Sequence, residues 1–371
     1  MNFKAQLKAE AVRLGFSITG ITNTTSPASF SVYKSWCESG LNASMEYLSR
    51  ENSMRMREYP QLLQNAKNVI LVMAAYPPIN LTPIPTSTGK IANYARIPDY
   101  HETIPQRLEI LMGWIEKNFG SKPGYKIYTD TGPVLERELA QRAGLGWIGK
   151  NSCLIHPQSG SFSLIGEIFT DLEIEPDQPF NHDYCGKCQR CITACPTSCI
   201  LPNRTIDARR CISTLTIENK NEIPIHLREK IGTWVFGCDV CQNVCPWNRK
   251  PEKKFIPSNH KLLELPDLKQ EILFTPEEFV HKYKSYPVMR AKYRGFKRNL
   301  AVAIGNLEDE SFYSGLMDYF QIEKDPLIRG HLIWAIHKIN PQESHDFLQN
   351  LLKTEPDLFV RTEIKSALKM D

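Results

Sequence analysis

The sequence predicts a mixed chain, α+β or α/β in class, built from three consecutive parts. These are an α/β domain over 1–175, a small cysteine-rich domain over 176–255 and an α-helical repeat domain over 256–371. Three observations carry that division. The apolar run Asn68–Tyr76 stops at Pro77-Pro78 and reads as a buried strand. Nine of the eleven cysteines fall between residues 185 and 245. The pattern Asp325, Ile328, Arg329, Leu332, Ala335, Ile336 returns 32 residues later as Asp357, Val360, Arg361, Ile364, Ala367, Leu368.

In the first part, Tyr125–Thr129 is a second strand that runs into Asp130-Thr131-Gly132-Pro133. Pro133 is expected to open a helix that Gly144 stops. Ser152–His156 and Ser161–Thr170 read as a hairpin about Pro157-Gln158-Ser159-Gly160. Pro77–Pro85 reads as a surface loop. Asp130 ends a strand before a helix, the position at which open α/β folds hold ligands. The same spot suits a helix N-cap aspartate, and the residues alone do not choose.

Composition excludes several classes. With 371 residues, 42% apolar and 23% charged, the chain suits a soluble globular protein of two or three domains. Its longest apolar run, eight residues from Val69 to Tyr76, is far short of a membrane span. The N-terminus has neither a signal core nor a twin-arginine pair, so a cytoplasmic protein is expected, as a monomer and without membrane contact. Eleven cysteines in such a chain argue against a disulfide framework.

Their spacing points to iron and sulfide. Cys185-x2-Cys188-x2-Cys191-x3-Cys195-Pro196 follows the bacterial ferredoxin run, whose fourth cysteine serves the other cluster. Cys238-x2-Cys241-x3-Cys245-Pro246 is a second run that lacks its first cysteine, and Cys211 stands upstream to supply it. Crossing the fourth ligands gives one [4Fe–4S] cluster on Cys185, Cys188, Cys191 and Cys245. The other falls on Cys195, Cys211, Cys238 and Cys241. Paired zinc knuckles fit three cysteines at this spacing poorly. Cys37, Cys153 and Cys199 have no partner at ligand spacing and are expected to be packed residues.

In the third part, Phe296, Lys297, Leu300, Ala303 and Ile304 form an earlier copy of the repeat. Three copies of helical spacing predict stacked helix pairs of a HEAT-like kind. Net charge is only +4, yet His281–Arg298 has no acidic residue and carries +7. Tyr283, Tyr286, Tyr293 and Phe296 interleave these cations, a pattern that fits a nucleic-acid surface and also a solvated face.

Together these features resemble the epoxyqueuosine reductase family, corrinoid-dependent enzymes of tRNA queuosine synthesis related to reductive dehalogenases. The motifs that carry the resemblance are Tyr94-Ala95-Arg96-Ile97-Pro98-Asp99-Tyr100-His101, Asp130-Thr131-Gly132-Pro133-Val134-Leu135-Glu136-Arg137 and Gly146-Trp147-Ile148-Gly149-Lys150-Asn151. They continue in Gly166-Glu167-Ile168-Phe169-Thr170, Cys195-Pro196-Thr197, Cys211–Glu218 and Cys245-Pro246-Trp247-Asn248. Ile97 stands where the family usually has Gly, and Cys199 where a small apolar residue is usual.

The resemblance implies reduction of epoxyqueuosine to queuosine at the wobble position of tRNA, the last step of queuosine biosynthesis. It implies an N-terminal domain that binds cobalamin, two [4Fe–4S] clusters and an external one-electron donor such as ferredoxin or flavodoxin. Asp130 becomes the proton donor, its pKa lifted above the usual value of about 3.9 by burial against the corrin. Tyr94, Asp99, Tyr100, Asp130, Asn151, Ser152, Cys153, Ser213, Cys238 and Asp239 would surround the corrin. Asp99-x-His101 nearly mimics a base-off cobalamin motif but lacks its Gly, so His101 is read as a loop histidine and not a cobalt ligand. Arg290, Lys292, Arg294, Lys297 and Arg298 would contact the tRNA. The competing readings are a corrinoid reductive dehalogenase, which needs neither the repeats nor the basic run, and an RNA-binding ferredoxin-type carrier, which needs no Asp130 site.

Overall fold

The computed structural model describes residues 2–58, 62–76, 86–120, 122–249 and 262–370. The expected loop at Pro77–Pro85 and the boundary at 255/256 lie outside the described residues. The chain divides into two compact units, each assembled from separate stretches. One comprises Met1–Ile79, Ile97–Arg209 and Asp239–Leu262; the other comprises Asn80–Arg96, Arg210–Cys238 and Leu263–Asp371. The consecutive parts read from the sequence do not coincide with them, because 176–255 is shared between the two.

The first unit is organised by a four-stranded sheet in the order Ile18–Asn23, Asn68–Ala75, Ser163–Thr170, Tyr125–Tyr128. All three pairings are antiparallel, so the architecture is α+β, and the parallel-sheet crevice rule does not apply to Asp130. Both predicted strands form within a residue of expectation. The predicted hairpin does not. Leu154–Ile155 pairs with Trp147–Ile148, and an isolated bridge joins His156 to Gly160. Ser163–Thr170 already has a neighbour on each edge, Asn68–Ala75 and Tyr125–Tyr128.

The 20-residue helix Tyr100–Phe119 starts where the Asp99 carboxylate accepts the His101 N–H, and it ends at the left-handed Gly120. It buries Ile104, Leu108, Leu111, Met112 and Ile115. Gly166 lets it approach the sheet, since a Cβ there would lie 2.6 Å from the Ile104 side chain. Leu71, Phe169, Leu139 and Ala140 share one core cluster, which puts the helix Glu136–Arg142 against the sheet. That helix begins at Glu136 and not at Pro133, because Val134 is first buried in the same core.

In the second unit the helices Lys292–Gly305, Pro326–Ile339 and Leu358–Ala367 pack in succession around Leu300, Ile304, Leu332, Ile336 and Ile364. The 32-residue period reappears in their hydrogen bonds. Asp325 caps one helix through Leu327 N and Ile328 N, and Asp357 caps the next through Phe359 N and Val360 N. Arg329 donates to the carbonyls of Phe320 and Glu323, and Arg361 donates to those of Leu352 and Glu355. Lys297, one period earlier, donates to Ile272 O and Phe274 O. Arg329 and Arg361 each close the carbonyl end of the helix preceding their own, and Lys297 closes that of the shorter helix Leu268–Glu271, farther upstream. No helix among the described residues is long and apolar enough to cross a membrane.

Candidate active site and cluster cavity

Two constellations stand out in the first unit. The first surrounds Asp130, just past the strand Tyr125–Tyr128, where Thr129 anchors the chain by donating to Ile165 O at 2.6 Å. Asp130 has φ +56°, left-handed backbone that costs a non-glycine residue about 1–2 kcal/mol. Its side chain is 65% exposed in the protein alone. It does not cap a helix: the residue at the N-cap of Glu136–Arg142 is Leu135. Instead, the Tyr100 hydroxyl donates to Asp130 Oδ2 at 2.7 Å, and Asp130 N–H donates to Glu136 Oε1 at 2.6 Å. His101 stacks on Tyr100, and its Nδ1 is 2.7 Å from Asp99 Oδ1 while Nε2 is 3.8 Å from Asp130 Oδ2. The imidazole thus bonds Asp99 through Nδ1 and faces Asp130 through Nε2, from the first turn of the helix Tyr100–Phe119 and not from a loop as expected.

Burial acts one layer deeper. Glu167 sits mid-strand opposite Leu71 and Tyr128, and it alternates to the same face as Ile165 and Phe169. It is fully buried there, and burial together with the charge of Glu136 holds its carboxyl well above the usual range. Burial, reinforced by the charge of Asp130, pushes Glu136 up to about 7. The pair therefore keeps protons at neutral pH directly behind the exposed Asp130. Both glutamates lie within the quoted motifs, but nothing in their spacing says that they meet.

The raised carboxyl makes stability depend on pH. In the unfolded chain Glu136 loses its proton near 4.5, and in the folded protein near 7. Its contribution to stability is therefore complete below about 4.5 and is lost as pH rises through about 7. Glu136→Gln should remove much of that decline. Thermal melts of variant and parent from roughly pH 5 to 8 should converge at the acidic end and separate above it, the variant being the more stable. Parallel curves would place the titration elsewhere.

The second constellation is a cavity lined by Cys185, Cys188, Cys191 and Cys245, the four thiols assigned to one cluster by crossing the two runs. The short helices Arg190–Ala194 and Val240–Asn243 pack together beside it and carry Cys191 and Cys241. Lys150 Nζ fastens the first loop by donating to Gly186 O and Cys188 O, at 2.8 and 2.9 Å. Trp147 Nε1 donates to Cys185 Sγ at 3.4 Å. Asn151 lines the same cavity with its Nδ2 buried and unpartnered, so the donor set suits a sulfur-rich anionic group.

Two family models match this chain: "4Fe-4S double cluster binding domain" over residues 184–248 and "Epoxyqueuosine reductase QueG, DUF1730" over residues 57–131. The epoxyqueuosine reductase of Escherichia coli K12 is 36% identical over 340 residues, 89% of this chain and 88% of that protein. This chain belongs to the epoxyqueuosine reductase family. The Francisella cf. novicida epoxyqueuosine reductase is 38% identical over 82% of this chain and 88% of its own length. Among solved structures, an epoxyqueuosine reductase crystallised with an epoxyqueuosine-modified tRNA-Tyr stem loop superposes with TM-score 0.90 at 29% identity, covering 99% of this chain and 98% of that one. The Bacillus subtilis epoxyqueuosine reductase, captured with its catalytic aspartate loop swung out of the active site, gives 0.87 at 28% identity, with 99% of each chain covered.

The expected corrin contacts are divided between the two units of this family member. Asp99, Tyr100 and Asp130 form the hydrogen-bonded group described above. Asn151 faces the thiol cavity instead. The Ser152 hydroxyl is committed to Arg204 O, which holds a loop in which Ser152 itself is left-handed. Cys153 N–H donates to Asn151 Oδ1, and Asp239 is 2% exposed. Tyr94, Ser213 and Cys238 belong to the second unit, as does Cys211, whereas Cys195 and Cys241 belong to the first. Cys199 is packed as expected, but its Sγ lies 3.4 Å from Cys195 Sγ.

The basic run needs correction. Lys297 and Arg298 are fully buried and cannot meet tRNA. Lys297 is the repeat's clamp, and Arg298 donates to the carbonyls of Leu215, Asn219 and Asn221. Arg290 and Arg294 remain exposed while pairing with Glu218 and Asp325, and Lys292 is exposed. Lys282 pairs with the buried Glu271. About half of the apparent surface charge is structural.

Proposed function

We propose that this chain reduces epoxyqueuosine in tRNA to queuosine, with Asp130 as the acid that protonates the oxygen released from the epoxide. The observation that carries the assignment is the Asp130 turn: an exposed carboxylate on left-handed backbone, aimed by Tyr100 and fastened by Glu136. Epoxide to alkene requires two electrons and two protons and releases one water. Asp130 delivers a proton to the nascent alkoxide, and the carboxyls of Glu136 and Glu167 provide a proton reserve behind it. Tyr100 keeps the carboxylate facing the substrate.

Two [4Fe–4S] clusters, when bound, would supply one-electron transfer from a donor of the ferredoxin or flavodoxin class. Cys185, Cys188, Cys191 and Cys245 would hold one, and Cys195, Cys211, Cys238 and Cys241 the other. Cobalamin, when bound, supplies strongly reducing cobalt for the step at carbon. Its holders in this reading are Tyr94, Asp99, Tyr100, Cys153, Ser213, Cys238 and Asp239; the exposed Asp130 side chain, with the half-buried His101 beside it, offers polar groups to such a ligand. The reaction belongs in the cytoplasm with its tRNA, and the enzyme acts as a monomer. Reconstituted protein given epoxyqueuosine tRNA, cobalamin and a reductant should yield queuosine on nucleoside digestion. No queuosine from fully loaded protein would overturn the assignment.

On the tRNA side, Arg290, Lys292 and Arg294 are the exposed residues among the five expected to contact tRNA. Replacing all three with Ala should weaken tRNA binding and reduce the salt slope by up to about one unit for each phosphate no longer neutralised. The clusters should be unaffected. An unchanged slope in filter-binding assays would make this surface a solvated face only.

A further inference from the structure

Asn151 is 2% exposed and sits on the wall of the thiol cavity. One end of its amide is used: Oδ1 accepts the Cys153 N–H at 3.3 Å. The other end is not, since Nδ2 is buried without a hydrogen-bond partner. A buried N–H donor left unpaired costs about 1–3 kcal/mol, so its retention calls for an acceptor. Trp147 approaches the same thiols with a second donor, Nε1 on Cys185 Sγ. The indole is held by rings on three sides, Phe180, Tyr184 and Trp247, with centroids at 5.8, 5.3 and 5.1 Å. It is 1% exposed, so water does not compete for that bond.

We propose that Asn151 Nδ2 donates a hydrogen bond to a sulfur of the cluster held by Cys185, Cys188, Cys191 and Cys245, and that with Trp147 it raises the reduction potential of that cluster. This rests on the cluster assignment above and adds the residues that tune it. The couple is a one-electron one: the cluster gains an electron as the external ferredoxin- or flavodoxin-class donor loses one. Reduction adds negative charge to the sulfurs, so an N–H donor stabilises the reduced form more than the oxidised form. Both donors come from the stretch Trp147–Asn151, whose backbone is pinned by the Lys150 contacts to the cysteine loop. This stretch therefore supplies donors to a cluster whose ligands lie elsewhere in the chain.

Redox titration of the reconstituted full chain, followed by electron paramagnetic resonance, tests this. Asn151→Asp keeps the acceptor for Cys153 N–H and removes the donor. It should lower the one-electron equilibrium constant of this cluster by about tenfold or more, which is ~59 mV per decade, and leave the other cluster in place. Trp147→Phe keeps the ring and should act in the same direction. Cys188→Ser tests the seat apart from its tuning: if it leaves both cluster signals intact, the seat itself is wrong. With the seat established, an unchanged potential in Asn151→Asp at full iron content overturns the proposal. Should Asn151→Asp lose the cluster, Asn151→Ser, which restores a donor, must retain it. Iron loss in both variants would reduce Asn151 to a packing residue.

Discussion

Asp130→Asn should fold, bind both clusters and bind tRNA, yet lose about 10²–10⁴-fold in epoxide reduction. The amide is nearly isosteric with the acid and still accepts the Tyr100 hydroxyl, so the turn survives. It has no proton to give the alkoxide. A helix-capping role would have predicted near-normal activity, since Asn caps about as well as Asp, but the cap position here is Leu135 and Asp130 lies outside it. Single-turnover assays on prereduced protein separate this step from electron supply. Near-normal turnover there would remove Asp130 from the chemistry and leave its strained backbone without a role.

Cys211→Ser should abolish turnover by removing one of the two clusters, with iron falling from about eight to about four per chain. Cys199→Ser should retain both. The distinction is ligand count: the two cysteine runs supply seven thiolates and Cys211 the eighth, while Cys199 is surplus. Its sulfur touches Cys195 Sγ, so a serine at 199 keeps a donor for that ligand. Iron kept in Cys211→Ser and lost from Cys199→Ser would show that the eighth ligand is Cys199.

The double-cluster domain was readable because iron–sulfur ligation is written in local spacing, and one cavity is lined by the four thiols that crossing the runs assigns to one cluster. The strands at Asn68 and Tyr125 were readable from apolar runs and punctuation. Strand order was not, since nothing local names a strand's partner, and in place of the hairpin at Gly160 Leu154–Ile155 pairs with Trp147–Ile148 while Ser163–Thr170 enters the four-stranded sheet. Glu136 and Glu167 were invisible as a pair because they meet only through the register that sets Glu167 beside Tyr128. The openness of the Asp130 side chain beside the buried Glu167 was equally invisible, since it depends on how the turn after Tyr128 leaves the sheet. Lys297 was misread although the signal was present: it stands one period before Arg329 and two before Arg361, both half-buried within their repeats. Seven cations in one stretch read as surface only while that alignment is overlooked.

The clamp formed by Lys297, Arg329 and Arg361 also constrains how this region can change in length. Excising residues 324–355, one period of 32, would hand the carbonyls of Phe320 and Glu323 to Arg361 in place of Arg329, and Asp357 would succeed Asp325 at the helix start. The seam would look like the original. A deletion of almost any other size would leave a half-buried guanidinium facing the wrong turn and a row of carbonyls without donors. Length variation here is therefore expected to come in whole periods, so that the domain can be shortened or extended without redesigning its interior.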